Sequence, residues 1–196
     1  RANPDAPIND FKFTTKKMND AGSLFDLAKL CDVSKNIISR WSAEKVYEET
    51  AEWAKEFDSE FYGEFTANPD FTKAVLAIGR GGNKPRKDFA VWSEVKGYMG
   101  FMFDKYYNAE GEYPQGFEPV LIADVLKAYL AAYSPEDDQS AWFDKMKDVA
   151  EKFGFAREMK EYKANPEAYK GSIGDISSFV RVAITGKQNA PDLYTV

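Results

Sequence analysis

The sequence predicts an all-α protein, and three observations carry that prediction. Apolar residues recur at three-to-four spacing from Ala43 to about Tyr62, as on one face of an amphipathic helix. An N-cap residue followed by a first-turn proline opens a helix at Asn68-Pro69, at Ser134-Pro135 and at Asn165-Pro166. Glycines at Gly81-Gly82, Gly154 and Gly186 follow apolar runs, where a helix end favours a left-handed residue.

Taken in order, Arg1 to Asp10 is proline-rich and begins without an initiator Met, so it reads as the start of an excised piece. Asp20 is the expected N-cap of the first helix, whose Leu24, Leu27, Leu30 and Cys31 share one face and are expected in the core. Ser42 caps a long helix from Ala43 to about Tyr62, with Val46, Tyr47, Thr50, Trp53, Ala54, Phe57 and Phe61 facing inward. Its acidic stripe, Glu44, Glu48, Glu49, Glu52, Glu56 and Glu60, is read as a solvated face. A hard-cation site needs oxygens that converge from different segments.

Asn68-Pro69-Asp70 starts a helix that runs through Val75, Leu76 and Ile78 to the Gly81-Gly82 stop. Gly79 to Lys84 is glycine-rich, but it lacks the Gly-Lys-Ser/Thr ending of a phosphate-binding loop and no strand precedes it. It is read as a turn that gathers Arg80, Lys84, Arg86 and Lys87. Asp88 is expected to cap the next helix, with Phe89, Trp92, Val95, Met99, Met102 and Phe103 inward. A boundary is placed in 104–117. Pro119 begins a helix to about Tyr133, and Ser134-Pro135-Glu136-Asp137 opens another that buries Trp142, Phe143, Met146 and Val149 and ends at Gly154. Phe179 to Ile184 is open to two readings. Its β-branched residues and brevity allow a short buried strand, while Gly174-Asp175, Gly186 and Pro191 suit two short helices joined by a loop from Lys187 to Ala190. The helical reading is preferred.

Composition sets the limits on function. The 196 residues include 15 Phe and 11 Tyr, enough aromatic surface for packed order in one large or two small domains. No apolar run is long enough to span a bilayer, and no signal-peptide pattern opens the chain. Cys31 is the single cysteine, which excludes an internal disulfide and a multi-Cys zinc site and fits a reducing, cytoplasmic compartment. Histidine is absent, which excludes Ser-His-Asp and Cys-His machinery. A net charge of −6 argues at first against nucleic acid. The distribution argues otherwise, because 41–78 and 108–138 are acidic whereas 79–107 is basic, so a basic face on an acidic body is expected.

Three motifs carry a resemblance. Val-Arg-Val-Ala-Ile-Thr-Gly at 180–186, followed by Pro191-x-Leu193-Tyr194, resembles the C-terminal signature of bacterial glutamyl-tRNA synthetases. Leu24-Phe25-Asp26-Leu27-Ala28-Lys29-Leu30 resembles that family's Phe-Asp-x-x-Lys-Leu segment, and Lys84-Pro85-Arg86-Lys87-Asp88 its Arg/Lys-Pro-Arg segment. Lys16-Lys17-Met18-Asn19 does not match the family's ATP-site loop, since the following Lys-Ser is absent. The resemblance implies a fold of two helical-bundle subdomains that bind the anticodon of glutamate tRNA. Residues 1–41 form the tail of a stem-contacting region, 42–110 the first anticodon-binding subdomain and 111–196 the second, C-terminally truncated.

An anticodon is read by splaying its bases into pockets, stacking them and bonding their Watson-Crick edges, and a planar guanidinium serves both purposes. The resemblance places Arg86 at the last anticodon base and Arg181 at the first. It puts Pro191, Leu193 and Tyr194 at pocket walls and Ala190 where a small polar residue can occur. It also marks Ser178 as a hydrogen-bonding side chain and Lys147 at a position that can carry Arg. Arg80, Lys84, Lys87 and Lys187 are candidate phosphate contacts. The plainer readings are a carbonyl-binding arginine for Arg181 and a surface residue at a helix start for Arg86. No catalytic or metal residue is expected here; ATP and Mg²⁺ belong to the parent ligase, whose partner is glutamate tRNA. The chain is expected to be monomeric, with no membrane or DNA partner. The alternative is a helical protein-interaction module.

Overall fold

The computed structural model describes residues 7–10, 12, 14–17, 25–108 and 110–196. These residues form an all-α fold without a β-sheet; the one bridge among them, Ala156 with Ser172, is isolated. Helix α1 (Leu27–Ile38) starts at Asp26, whose carboxylate accepts from the Lys29 N–H at 3.0 Å. The expected cap Asp20 and the residue Leu24 lie outside the described residues. Leu27 and Leu30 are exposed rather than packed in a core, at 62% and 52%. With Phe25, Val33 and Ile37 they make an apolar ridge along α1.

The predicted long helix is interrupted. Helix α2 (Ala43–Phe57), capped by Ser42, ends at Asp58, and α3 (Ser59–Ala67) begins from the same residue. The Asp58 carboxylate accepts from the Phe61 N–H at 3.0 Å and from Lys96 Nζ at 2.9 Å. A short acidic side chain that captures a local N–H competes with the helix ladder, so the break falls there. Phe57, one residue before it, is consequently exposed rather than inward. Helix α4 (Pro69–Ala77) is capped by Asn68 and stops before Gly79, whose φ is +70°.

Helix α5 (Ser93–Met99) starts later than expected because Asp88 does not cap it: that carboxylate is held by Arg86. Glu94 instead accepts from the Ala90 N–H at 2.6 Å. A 3₁₀ turn over Gly100–Met102 follows. The first core gathers Ile38, Val46, Ala54, Phe61, Phe65, Val75, Leu76, Phe89, Val95, Met99 and Phe103.

Helix α6 (Pro119–Ala132) occupies its predicted range. Helix α7 (Gln139–Lys152) is capped by Asp138, which accepts from the Ala141 N–H at 2.8 Å, rather than by Ser134. The Ser134 hydroxyl instead accepts from the N–H of Glu136, in the preceding turn. After α8 (Met159–Ala164), Pro166–Ala168 forms a 3₁₀ turn. Helix α9 (Ile173–Thr185) opens with a Ser172–Asp175 capping box and closes at Gly186, with φ +69°. The strand reading of Phe179 to Ile184 is therefore excluded. No helix follows Pro191; Asp192 instead folds a turn, accepting from the N–H and Oγ1 of Thr195. Helices α6, α7 and α9 enclose the second core, with Val125, Met146, Phe155, Ile176, Phe179 and Val180 among its buried members.

The connection between the cores lies against the end of α9. A Cβ on Gly111 would meet Val182 Cγ1 at 2.5 Å and Gly186 O at 2.9 Å, and one on Gly186 would meet Asn108 O at 2.4 Å. Tyr107 Oη donates to Ala183 O at 2.9 Å and Gln188 Nε2 to Glu112 O at 3.0 Å.

Candidate nucleic-acid interface

Two regions hold most of the candidate residues. The first is the loop from Gly79 to Asp88. Arg80 anchors it: Nε donates to Leu76 O at 3.0 Å, Nη1 donates to Ile38 O at 2.7 Å, and the guanidinium lies over the Phe89 ring. Burial lowers its pKa, with Asp88 acting in the opposite sense. The carbonyls at the ends of α1 and α4 thus occupy the donors that the sequence suggested for phosphate.

Arg86 is held from two sides. Its N–H donates to Gly79 O at 3.1 Å, and its aliphatic stem lies over Gly79, where a Cβ would come within 2.7 Å of Cδ. Its guanidinium meets Asp88 at 3.0 Å through Nη2 and 3.1 Å through Nε. Burial is the largest influence on Arg86 and works against its charge, but Asp88 and Tyr98 together outweigh it and the pKa is raised. The buried Tyr98 hydroxyl lies beside this pair without a well-formed hydrogen bond, and burial, reinforced by Asp88, pushes its pKa up. Lys84 and Lys87 are exposed. Lys84, Pro85 and Lys87 line an open cleft of about 650 Å³ whose opposite wall is Asn36, Ser39 and Arg40 at the end of α1. Arg86, between two of those lining residues, turns the other way.

The second region is the end of α9 with the chain after it. Arg181 is half-buried; its Nε is fully buried without a hydrogen-bond partner, and no carboxylate pairs with the guanidinium among the described residues. One turn earlier, Ser177 Oγ and Ser178 Oγ donate back to Ile173 O and Gly174 O, each at 2.9 Å, which leaves their oxygens able to accept. Ala190 and Pro191 are buried, as is Leu193 against the second core. Tyr194 Oη donates to Asp137 O at 3.1 Å, and its ring lies 5.6 Å from that of Trp142.

Leu193 and Tyr194 wall an open hollow of about 460 Å³ with Tyr129, Tyr133, Trp142 and Ile184, and Asp137 also lines it. Trp142, expected as core, is half-buried and donates its indole N–H to Tyr129 Oη at 2.9 Å. Lys187 is exposed as a residue, but its ammonium is partly desolvated, which lowers its pKa. Lys147 stands apart, bonded to Glu158 at 2.9 Å with Asp144 at 3.4 Å, and the Glu158 bond raises its pKa.

The structure thus brings Arg80, Lys84, Arg86 and Lys87 into one loop, and Leu193 and Tyr194 beside Ile184. Sequence reasoning missed Arg40 and Asn36, which reach the basic loop from a helix more than forty residues upstream; no local spacing announces such an approach. It also missed Tyr129 and Tyr133, whose apolar runs read as buried faces of α6.

Among the described residues no helix is long and apolar enough to cross a membrane, and no group of three His, Cys, Asp or Glu side chains could hold a metal ion. No family model and no solved structure matches the chain. Curated proteins do. The chain is 41% identical over 194 residues to the glutamate--tRNA ligase of Acetivibrio thermocellus, covering 99% of this chain and 36% of that protein. It is 42% identical over 198 residues to that of Clostridium perfringens strain 13, covering 99% of this chain and 36% of that one. It is 37% identical over 198 residues to that of Sorangium cellulosum, covering 100% of this chain and 35% of the relative. The chain therefore spans little more than a third of the length of these relatives, and along nearly all of its own length it belongs by sequence with the glutamate--tRNA ligases, as the counterpart of one part of them.

Proposed function

We propose that the chain is the anticodon-recognising part of a glutamate--tRNA ligase and that Arg181 and Arg86 each read an anticodon base. Arg181 carries the reading. A half-buried guanidinium whose Nε is sealed from water and bonded to nothing is unfavourable unless a partner arrives, and a base edge or phosphate supplies the missing acceptors. The Ser178 hydroxyl, one turn away on the same helix, adds an acceptor. Tyr194, Trp142 and Leu193 offer apolar and aromatic surface against which an unstacked base can lie. Arg86 is presented differently: Asp88 fixes its head and Gly79 its stem, so it meets RNA as a rigid fork.

In this reading the whole enzyme joins glutamate to its tRNA with ATP and Mg²⁺ in the cytoplasm. We assign no residue of this chain to ATP or Mg²⁺. Lys84 and Lys87 attract the phosphate backbone, Arg80 positions the loop, and Lys147, neutralised by Glu158 and Asp144, contributes little. We take the chain as two subdomains, 42–110 and 111–196, after a 1–41 tail whose Ile38 and Trp41 pack onto the first core.

The test is binding of a glutamate-tRNA anticodon stem-loop, with an altered-anticodon stem-loop as control. Selective binding that Arg181→Ala or Arg86→Ala removes is the expected result. Equal or absent binding to both RNAs would overturn base reading. It would favour the second reading, a protein-contact module, which the exposed ridge of Phe25, Leu27, Leu30, Val33 and Ile37 on α1 supports.

A further inference from the structure

The cleft between α1 and the glycine-rich turn has a composition that anticodon-base reading does not use. Its lining among the described residues contains three cations, Arg40, Lys84 and Lys87, together with Asn36, Asn83 and Ser39, and no carboxylate. The turn adds a second, independent feature. The backbone N–H groups of Gly81, Gly82, Asn83 and Lys84 donate to no acceptor among the described residues, whereas Arg80 N–H and Arg86 N–H on either side are bonded to Ala77 O and Gly79 O. A Cβ on Gly81 or Gly82 would meet nothing within 4 Å, so a ligand can approach this backbone closely. Consecutive free N–H groups in a turn that passes through a left-handed glycine, here Gly81 at φ +79°, form a concave anion seat, and nearby cations deepen its potential. Loop closure is already provided by Arg80 and by the Arg86–Asp88 pair, so the free backbone donors and the two lysines, Lys84 and Lys87, are not needed to hold the loop together.

We propose that this cleft binds a backbone phosphate of the RNA strand, adjacent to the base met by Arg86, with Arg40, Lys84 and Lys87 as the cationic contacts and the Gly81–Lys84 amides as donors. The assignment rests on the anticodon reading for its partner, but not on Arg86 or Arg181 for its geometry. Phosphate contacts carry no base information, so this seat sets affinity and register while Arg86, facing the other side of the loop, carries selectivity. The Arg40 contribution ties α1 to the RNA, which makes α1 part of the interface although the resemblance assigned it no anticodon residue.

The test measures binding of the cognate and altered-anticodon stem-loops across a salt series, for the chain and for Arg40→Gln, Lys87→Gln, Lys84→Gln/Lys87→Gln and Asn83→Asp. Each neutralising substitution is expected to weaken both RNAs equally, about 3- to 10-fold, and to reduce the slope of log K against log salt by about 0.7 to 0.9 per lost phosphate contact. The ratio between the two RNAs should stay as it was. Asn83→Asp, which places a carboxylate in the seat, should weaken both further.

Lys84, Lys87 and Asn83 are exposed loop positions, so these variants report on the seat even if Arg40→Gln alters folding. Selective wild-type binding with unchanged affinity and slope in the double lysine variant and in Asn83→Asp would overturn this inference and leave the anticodon reading intact. Unselective wild-type binding whose slope still falls in those variants would overturn base reading and leave the seat. Titrations with inorganic phosphate and with ATP separate the sources of the anion: either binding in a manner these variants abolish, without change in RNA affinity, would overturn the RNA assignment.

Discussion

The aliphatic stem of Arg86 lies directly over Gly79, close enough that a single methyl group on Gly79 would come within 2.7 Å of Arg86 Cδ. Seven residues apart in sequence, the two close the basic loop through the Arg86 N–H to Gly79 O bond as well. Gly79→Ala therefore meets two obstacles, the contact and a φ of +70°, and is expected to cost about 1 to 2 kcal/mol from the backbone alone. Thermal unfolding measures the loss. RNA affinity should fall with it, since the substitution displaces the guanidinium.

Arg86→Ala should lower stability as well as binding. It leaves Asp88, only 10% exposed in its side chain, without its counter-ion, a loss expected at about 1 to 3 kcal/mol for a buried acceptor stripped of its partner. Urea unfolding of the variant against Asp88→Asn/Arg86→Ala separates the stranded charge from the lost packing. The double variant should recover part of the stability.

Arg181→Met should behave in the opposite way. The guanidinium makes no bond for the fold to lose, and a thioether relieves the unpaired Nε, so the thermal midpoint is not expected to fall. Selectivity for the glutamate anticodon should nonetheless disappear, at about 1 to 3 kcal/mol of discrimination. A structural arginine would give the reverse pattern, a lower midpoint with selectivity retained.

Asp58 links stability to pH. Its folded pKa is lowered, first by the Phe61 N–H bond and then by Lys96. Its contribution is therefore complete above the unfolded carboxylate pKa and is lost as pH falls through the lower folded value. Asp58→Ala should cost about 1 kcal/mol near neutrality through the lost cap. The variant's deficit should shrink as both proteins are acidified, which denaturant unfolding at stepped pH will show.

Gly111→Ala tests the crossing of the inter-core connection over α9. The added Cβ faces Val182 Cγ1 at 2.5 Å and the Gly186 carbonyl at 2.9 Å, and backbone yields less readily than a side-chain tip. A destabilisation of about 1 to 3 kcal/mol is expected from overpacking. Loss of the Tyr107 hydroxyl bond to Ala183, seen by substituting Phe at 107, should cost less.

Much of the helical framework was legible in local sequence. Ser42, Asn68 and Gly186 stand at helix ends for reasons contained within four residues of each, and all three occupy their expected roles. The misplacements came from competition for one group. Asp58 was read as part of a helix because its two partners include Lys96, thirty-eight residues away, and Asp88 was read as a cap because local sequence offers it two uses, a helix N–H and the guanidinium two residues before it, without saying which wins. Leu27 and Leu30 have helical spacing, yet spacing reports a shared face and not what covers it. The motif arginines were visible from resemblance alone. Their environments were not: spacing alone does not say that Arg86 pairs with the acid two residues on, and whether Arg181 finds a partner depends on side chains brought from other segments.

The two cores divide the sequence without interleaving: the members of the first, with the side chains packed on it, run from Ile38 to Tyr106, and those of the second from Tyr113 to Leu193. On a ribosome, then, the first can condense before the segments of the second have been translated, and neither waits for a distant strand to close it. The contacts of Asn108 and Gly111 with the end of α9 wait longer, since their seat exists only once Gly186 has been added to the nascent chain.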